Sequence, residues 1–294
     1  MYKPIFILIH GYGSSSVWWN YKDVNTNKLE KIDFLDNLKK LGDVYEYTMD
    51  FFNVYYYYTV NDIKEKERMH AIYKNYKPHT SKLNFKIEDL MYKNICEDIH
   101  NKVTKKYEKN RKYILVCHSY GCLIGFLYSK IYKNECLFNV MIDSPPYYIK
   151  LFNQMLNSKY TKKEKEIVDK YVSDDEKLKN ILDKIKNKKT NENVNEKINK
   201  VLSLISYLDW TERIKYYDKK LPIYTIYFRA SYPNTTDKFR IKWNKWALEE
   251  KKIFEKNNST NNFEYIIMPN AEHFIWYDQK YSNDIITKIK ETLK

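Results

Sequence analysis

"LVCHSYGCL", residues 115–123, decides how the rest of the chain is read. A serine stands between a histidine and a tyrosine. It directly follows the apolar run "KYILVC" (112–117) and directly precedes an apolar stretch at helical spacing, 120–132. Glycine is scarce, five in 294 residues, yet Gly121 and Gly125 lie within six residues after Ser119. The order strand, x-x-Ser-x-Gly, helix is that of a nucleophile elbow. There the serine sits on a tight, strained turn, and the residues two before and two after it must be small. Gly121 satisfies one side. Cys117, small enough for the turn, stands on the other, where glycine is usual.

The elbow has a second use. Ser119 sits at a helix N-terminus, where backbone N–H groups and the helix dipole favour a developing oxyanion. The N–H of Tyr120 is one candidate donor. The other candidate is the N–H of Tyr12, in the loop "HGYGSSS" (10–16) after the first strand. Gly11 lets the backbone there approach closely. With Gly13, four of the five glycines fall in or just after two loops expected at one sheet edge.

Outward from these loops, strand and helix patterns alternate. Ile5 to Ile9 is a continuous apolar run, as in a strand buried on both faces of a parallel sheet. A helix is expected over 29–41, with Leu29, Ile32, Leu35 and Leu38 on one side. "DVYEYTM" (43–49) reads as a strand. Residues 51–85 are tyrosine-rich and irregular, and from Ile87 to Tyr107 the apolar residues recur at helical spacing. Further strands are expected at 137–143, 222–230 and 263–269, and further helices at 242–256 and 282–293. Helices between strands imply a doubly wound, mostly parallel sheet of the α/β class, with functional loops at the carboxyl ends of the strands. The segment 147–216 breaks the alternation. It is charged and helical in pattern, with stripes at Leu178, Ile181, Leu182, Ile185 and at Ile198, Val201, Leu202, Ile205 about a polar hinge, 186–197. It reads as a helical cap inserted in a core made of 1–146 and 217–294.

Composition excludes several classes. The chain is 43% hydrophobic and 17% aromatic, which is globular material. The net charge of +14 invites an anionic partner. Yet the lysines alternate with acidic residues, as in "TKKEKEIVDKYVSDDEKLK" (161–179), and Lys, Asn, Tyr and Ile are raised together, as A+T-rich coding produces. No specific nucleic-acid partner is expected. Cys96, Cys117, Cys122 and Cys136 form no C-x-x-C pair and follow no secretory signal, so free thiols and a cytoplasmic location are expected. The run Ile5–Ile9 is too short for a signal segment, and no window is long and apolar enough for a transmembrane span. No metal-ligand cluster is visible, and "GYGSSS" lacks the Gly-Lys-Ser/Thr ending of a phosphate loop, so no metal and no cofactor are expected.

"FILIHGYGSSS" (6–16) together with "ILVCHSYG" (114–121) resembles the α/β-hydrolase superfamily. The resemblance covers the sheet elements of nearly the whole chain and says little about substrate. It implies a triad in the order Ser, acid, His. Of His10, His70, His79, His100, His118 and His273, only His273, in "FEYIIMPNAEHFIWYD" (263–278), follows the last strand. His10 and His118 occupy motif positions where histidine is common in that superfamily and read as loop-shaping residues. Two acids are open. Asp143, in "VMIDSPP" (140–146), ends the strand after the elbow helix, as in some lipases, esterases and acyl thioesterases that this segment resembles. Asp237, in "RASYPNTTDKF" (229–239), lies after the next strand, where most other members carry the acid, but at a long reach. Asp143 is the first choice and Asp237 the alternative.

The trio has a chemical logic. A serine hydroxyl is a weak nucleophile until a base takes its proton. His273 serves as base and then as acid, and the carboxylate fixes its tautomer. The expectation is a serine hydrolase that cleaves an ester or thioester of an apolar acyl group, with a small-molecule or lipid-like substrate. An amidase or peptidase with the same trio, and a non-catalytic binding protein of this fold, are the alternatives. Leu151, Phe152, Met155 and Leu156, just after Asp143, either line an acyl pocket or anchor the cap.

Overall fold

The computed structural model describes residues 3–12, 16–23, 29–48, 91–107, 110–163, 166, 203–204, 206–211, 213, 220–258 and 262–294. Gly13, the region 51–85, the first turn expected at Ile87, and both apolar stripes and hinge of the 147–216 segment lie outside these residues.

The central sheet contains β1 (Ile5–Ile9), β4 (Asp43–Tyr47), β5 (Tyr113–His118), β6 (Cys136–Ile142), β7 (Thr225–Ser231) and β8 (Phe263–Pro269). Their order across the sheet is β4-β1-β5-β6-β7-β8, and every pairing is parallel. Parallel neighbours need crossovers, and helices lie in them: α1 (Phe34–Lys39), α2 (Tyr92–Lys106), α3 (Tyr120–Ile131), α4 (Ile149–Lys159) and α5 (Lys238–Asn257), while α6 (Gln279–Thr292) follows the last strand. All residues of β1 and β5 are buried, as their uninterrupted apolar runs require for strands covered on both faces. One cluster of buried side chains on one face joins Ile5, Ile7 and Ile9 to α2, α3 and α4. A second on the other joins Phe6 and Leu8 to α1 and α6.

The first helix is shorter than its sequence pattern suggests. Leu29–Lys31 is β3, paired antiparallel with β2 (Tyr21–Asp23), and Ile32 donates to the carbonyl of Asn20 at 2.8 Å. That hairpin takes the backbone groups a first helical turn would use. Leu35 and Leu38 still face the core on a helix of six residues, and Ile32, just before it, is buried with them.

Two glycines are required where β5 meets α3. A Cβ on Gly121 would stand 2.3 Å from the Ile9 carbonyl oxygen, so only glycine lets α3 start against the end of β1. A Cβ on Gly125 would stand 2.4 Å from the Cys117 sulfur. Gly125 thus opens the space that cysteine, in place of the usual glycine, occupies at the elbow. Every residue from Tyr120 to Ser129 is buried, so α3 is enclosed on all sides and holds the elbow rigidly.

Of the segment 147–216, the described residues include α4 and the helical residues 206–211. Leu151, Phe152, Met155 and Leu156 are at most 3% exposed, and Phe152 packs against Tyr207 and Trp210. Among the described residues no helix is long and apolar enough to cross a membrane.

Candidate active site

The register places the ends of five strands on one rim. Ile9 pairs with Cys117, His118 with Ile142, Ile142 with Phe228, and Ser231 with Pro269. The residues that follow these ends are the ones the sequence singles out. Ser119 donates its N–H to the Ile142 carbonyl at 2.9 Å, and Asp143 donates its own to Phe228 at 2.7 Å, so the ladder runs into both turns.

Ser119 lies between β5 and α3 with φ 49° and ψ −123°. Asp143 has φ 45°. For residues other than glycine such backbone costs about 1–3 kcal/mol and persists only where the surroundings over-determine it. The Ser119 side chain makes no capping hydrogen bond to the helix it precedes. Serine at this position is usually a cap, so a hydroxyl withheld from capping is notable.

His273 Nδ1 lies 2.6 Å from Asp143 Oδ2. The carboxylate is buried, while the His273 side chain is 40% exposed, so the imidazole reaches from a closed interior towards the open rim. The other carboxylate oxygen, Oδ1, accepts the Ala230 N–H and the Trp243 Nε1–H, each at 3.1 Å. A carboxylate so bonded is held in one orientation, and a donor on Nδ1 leaves Nε2 of the neutral ring as the basic nitrogen.

Asp237 lies elsewhere. It is the N-cap of α5, where its carboxylate accepts the N–H groups of Phe239 and Arg240 at 2.7 and 2.9 Å. Those bonds lower its pKa. The long reach foreseen from sequence is explained: the residue is an exposed helix cap.

The loop after β1 touches the elbow. A Cβ placed on Gly11 would stand 3.1 Å from Ser119 Cβ. Tyr12, partly buried, packs its ring edge-on to Tyr120 at 5.8 Å between centroids. Tyr120 is the first residue of α3, where the helix leaves its N–H groups outside its own ladder.

Both motif histidines are buried. His10 Nδ1 donates to the Gly11 carbonyl at 2.8 Å, and burial lowers its pKa to about 4. His118 Nε2 donates to the His273 carbonyl at 3.0 Å, and burial followed by the nearby His273 pushes its pKa well below the ordinary value. A neutral His118 therefore tethers the backbone of the residue that carries the exposed imidazole. Its ring lies 4.5 Å from that of His273 and is enclosed by Phe274 and Trp276.

Trp243, Arg229 and Glu250 around Asp143 were not singled out from the sequence. A signal existed. Trp243, Trp246, Ala247, Glu250 and Phe254 fall on one helical face, so Glu250 is a charge on an apolar stripe. Arg229 is likewise a charge within the apolar strand β7. Buried charges at such positions require partners.

No family model matches the sequence, and no curated protein matches it. Solved structures do. A point mutant of an epoxide hydrolase from Bacillus megaterium aligns over 99% of this chain and 94% of its own, with 14% identity and a TM-score of 0.54. A peroxisomal alpha-beta-hydrolase from Saccharomyces cerevisiae aligns over 99% of this chain and 78% of its own, with 12% identity and a TM-score of 0.51. A probable hydrolytic enzyme from Pseudomonas aeruginosa PAO1 aligns over 100% and 88%, with 10% identity and a TM-score of 0.51. With its six parallel strands in the order above and these likenesses, the chain has the α/β-hydrolase fold.

Proposed function

We propose that the protein is a serine hydrolase that cleaves an ester or thioester of an apolar acyl group through an acyl-enzyme. The observation that carries this reading is the 2.6 Å contact between His273 Nδ1 and Asp143 Oδ2, on the rim that also bears Ser119. Ser119 Oγ attacks the acyl carbon while His273 Nε2 takes its proton. The N–H groups of Tyr12 and Tyr120 stabilise the oxyanion, each contributing about 3–4 kcal/mol by analogy with measured oxyanion donors. The intermediate collapses with cleavage of the acyl C–O or C–S bond, and His273 returns the proton to the leaving alcohol or thiol. Water, deprotonated by the same nitrogen, then releases the acid and restores the serine. The Asp143 carboxylate supports the imidazolium in both halves.

The surroundings of Ser119 support an apolar acyl group. Tyr12 on one side and Phe274 on the other are partly buried aromatic side chains beside the elbow. The segment 147–216 serves as the cap in this reading. Leu151, Phe152, Met155 and Leu156 are closed into the core, so an acyl chain meets them only if α4 moves.

A fluorophosphonate probe tests the reading. Labelling of the wild type, lost in Ser119→Ala, supports it; a folded wild type that is not labelled refutes it. Among labelled material, p-nitrophenyl esters, acyl-CoA thioesters and matched amides of graded chain length decide between ester, thioester and amide. A preference for amides, or for short polar acyl groups, overturns the substrate class.

A further inference from the structure

Behind Asp143 lies a second group of buried charges that the chemistry above leaves unused. Arg229 in β7 and Glu250 in α5 are 2% and 0% exposed and are paired through Nη2 and Oε2. Arg229 Nε donates to the Tyr265 hydroxyl at 3.0 Å, and that hydroxyl donates to Glu250 Oε2 at 3.1 Å. Both members of the pair also grip the turn after the acid. Arg229 Nη1 donates to the carbonyl of Ser144, and Glu250 Oε1 accepts the N–H of Tyr147 at 2.5 Å. Finally, Arg229 Nη1 stands 3.8 Å from Asp143 Oδ1, the oxygen that already accepts from Ala230 and Trp243.

Stability alone is a poor account of this arrangement. Buried ion pairs replaced by well-packed apolar residues are often neutral or stabilising, because desolvation offsets the attraction. Here one atom of each member, Nη1 of Arg229 and Oε1 of Glu250, bonds the backbone that follows Asp143, a residue that itself holds positive φ. We propose that Arg229, charge-balanced by Glu250, is a positioning residue for Asp143: it clamps the turn that carries the acid and sets how strongly that carboxylate supports a positive His273. This rests on the reading of Asp143 and His273 as catalytic partners.

The proposal has a signed consequence. The arginine cation draws on Asp143 and so opposes protonation of His273. The Glu250 anion tempers the arginine. Neutralising Glu250 alone strengthens the opposition. Removing both charges takes away the nearer cation and weakens it. The other groups facing this cluster come from several elements. His118 from β5, beside His273, is held neutral by burial, and the hydroxyls of Tyr227 in β7 and Tyr148 before α4, both near Glu250, are pushed up by burial. The Cys122 thiol of α3, the Tyr232 hydroxyl after β7 and the Tyr265 hydroxyl of β8 are pushed up by burial and stay protonated. Glu272, next to His273, is paired with Arg240 of α5 at 3.2 Å.

The experiment is the rate of fluorophosphonate labelling of Ser119 against pH, with folding checked by thermal melting. In Glu250→Gln the acid limb moves to lower pH by about half a unit or more, and in the Arg229→Met, Glu250→Met double variant it moves to higher pH by a similar amount. Folded variants whose limbs stay in place, or move the same way, overturn the proposal. If Glu250→Gln does not fold, the double variant must still move the limb upward. If neither folds, Trp243→Phe, which removes one donor from Oδ1, must do so. A wild type that is not labelled at any pH refutes the hydrolase reading instead, so the two failures are distinct.

Discussion

His273 Nδ1 and Asp143 Oδ2 stand 2.6 Å apart across 130 residues of chain, and the carboxylate is closed off from solvent while the imidazole is not. Asp143→Asn tests what the contact does. The amide presents a donor or a weaker acceptor to Nδ1, so the ring loses the tautomer with a basic Nε2. Hydrolysis or labelling falls about 1,000- to 10,000-fold with the fold intact. A fall of less than tenfold in a folded variant removes Asp143 from the mechanism.

Asp237 is the matched control. Its carboxylate caps α5, where it accepts the N–H groups of Phe239 and Arg240. Asp237→Ala lowers the urea midpoint and leaves the labelling rate within about twofold. A large loss of labelling with an unchanged midpoint would contradict that assignment.

Ser119 sits where glycine is more comfortable. At φ 49° and ψ −123° the side chain holds the backbone in a region that L residues avoid. Ser119→Gly abolishes labelling and raises stability by about 1 kcal/mol. Ser119→Ala abolishes labelling without that gain. Equal melting temperatures for the two variants would show that the turn stores no strain.

Acid destabilises this fold through His10. Its folded pKa is lowered to about 4 by burial, below the unfolded value of 6.5, so the unfolded chain binds the extra proton between them. Stability is fully present above pH 6.5 and is lost as pH falls towards 4, by about 2 kcal/mol at pH 5. His118, lowered in the same direction, adds to the slope. Urea midpoints at pH 7 and pH 5 measure it, and His10→Asn flattens the difference. An unchanged slope in that variant would mean that other groups carry the acid sensitivity.

Much of this architecture is legible in one dimension. The apolar runs of β1 and β5 read as strands covered on both faces, because a parallel sheet under helices leaves no polar side. Gly121 and Ser119 read as an elbow because the turn admits so few residue types. The loss of Leu29 from the first helix was not legible. Leu29–Lys31 fits either period, and only a partner strand, Tyr21–Asp23, decided it. The fit between Cys117 and Gly125 was also hidden, since a volume exchanged between a strand and a helix leaves no local pattern.

The order of strands and helices, the elbow at Ser119 and the position of His273 after the last strand were determined by the chain itself, through periodicity and steric limits that act over a few residues. The partner of the His273 ring was decided by the fold, since Asp143 and Asp237 are equally acidic in the sequence. Parallel register brought the end of β6 beside the loop after β8, while Asp237 went to a helix terminus. The same is true of Arg229 and Glu250. Each is an anomaly on its own apolar face, and only packing β7 against α5 makes them a pair behind the acid, because a buried charge finds its counter-charge by proximity in space, which the linear chain does not encode.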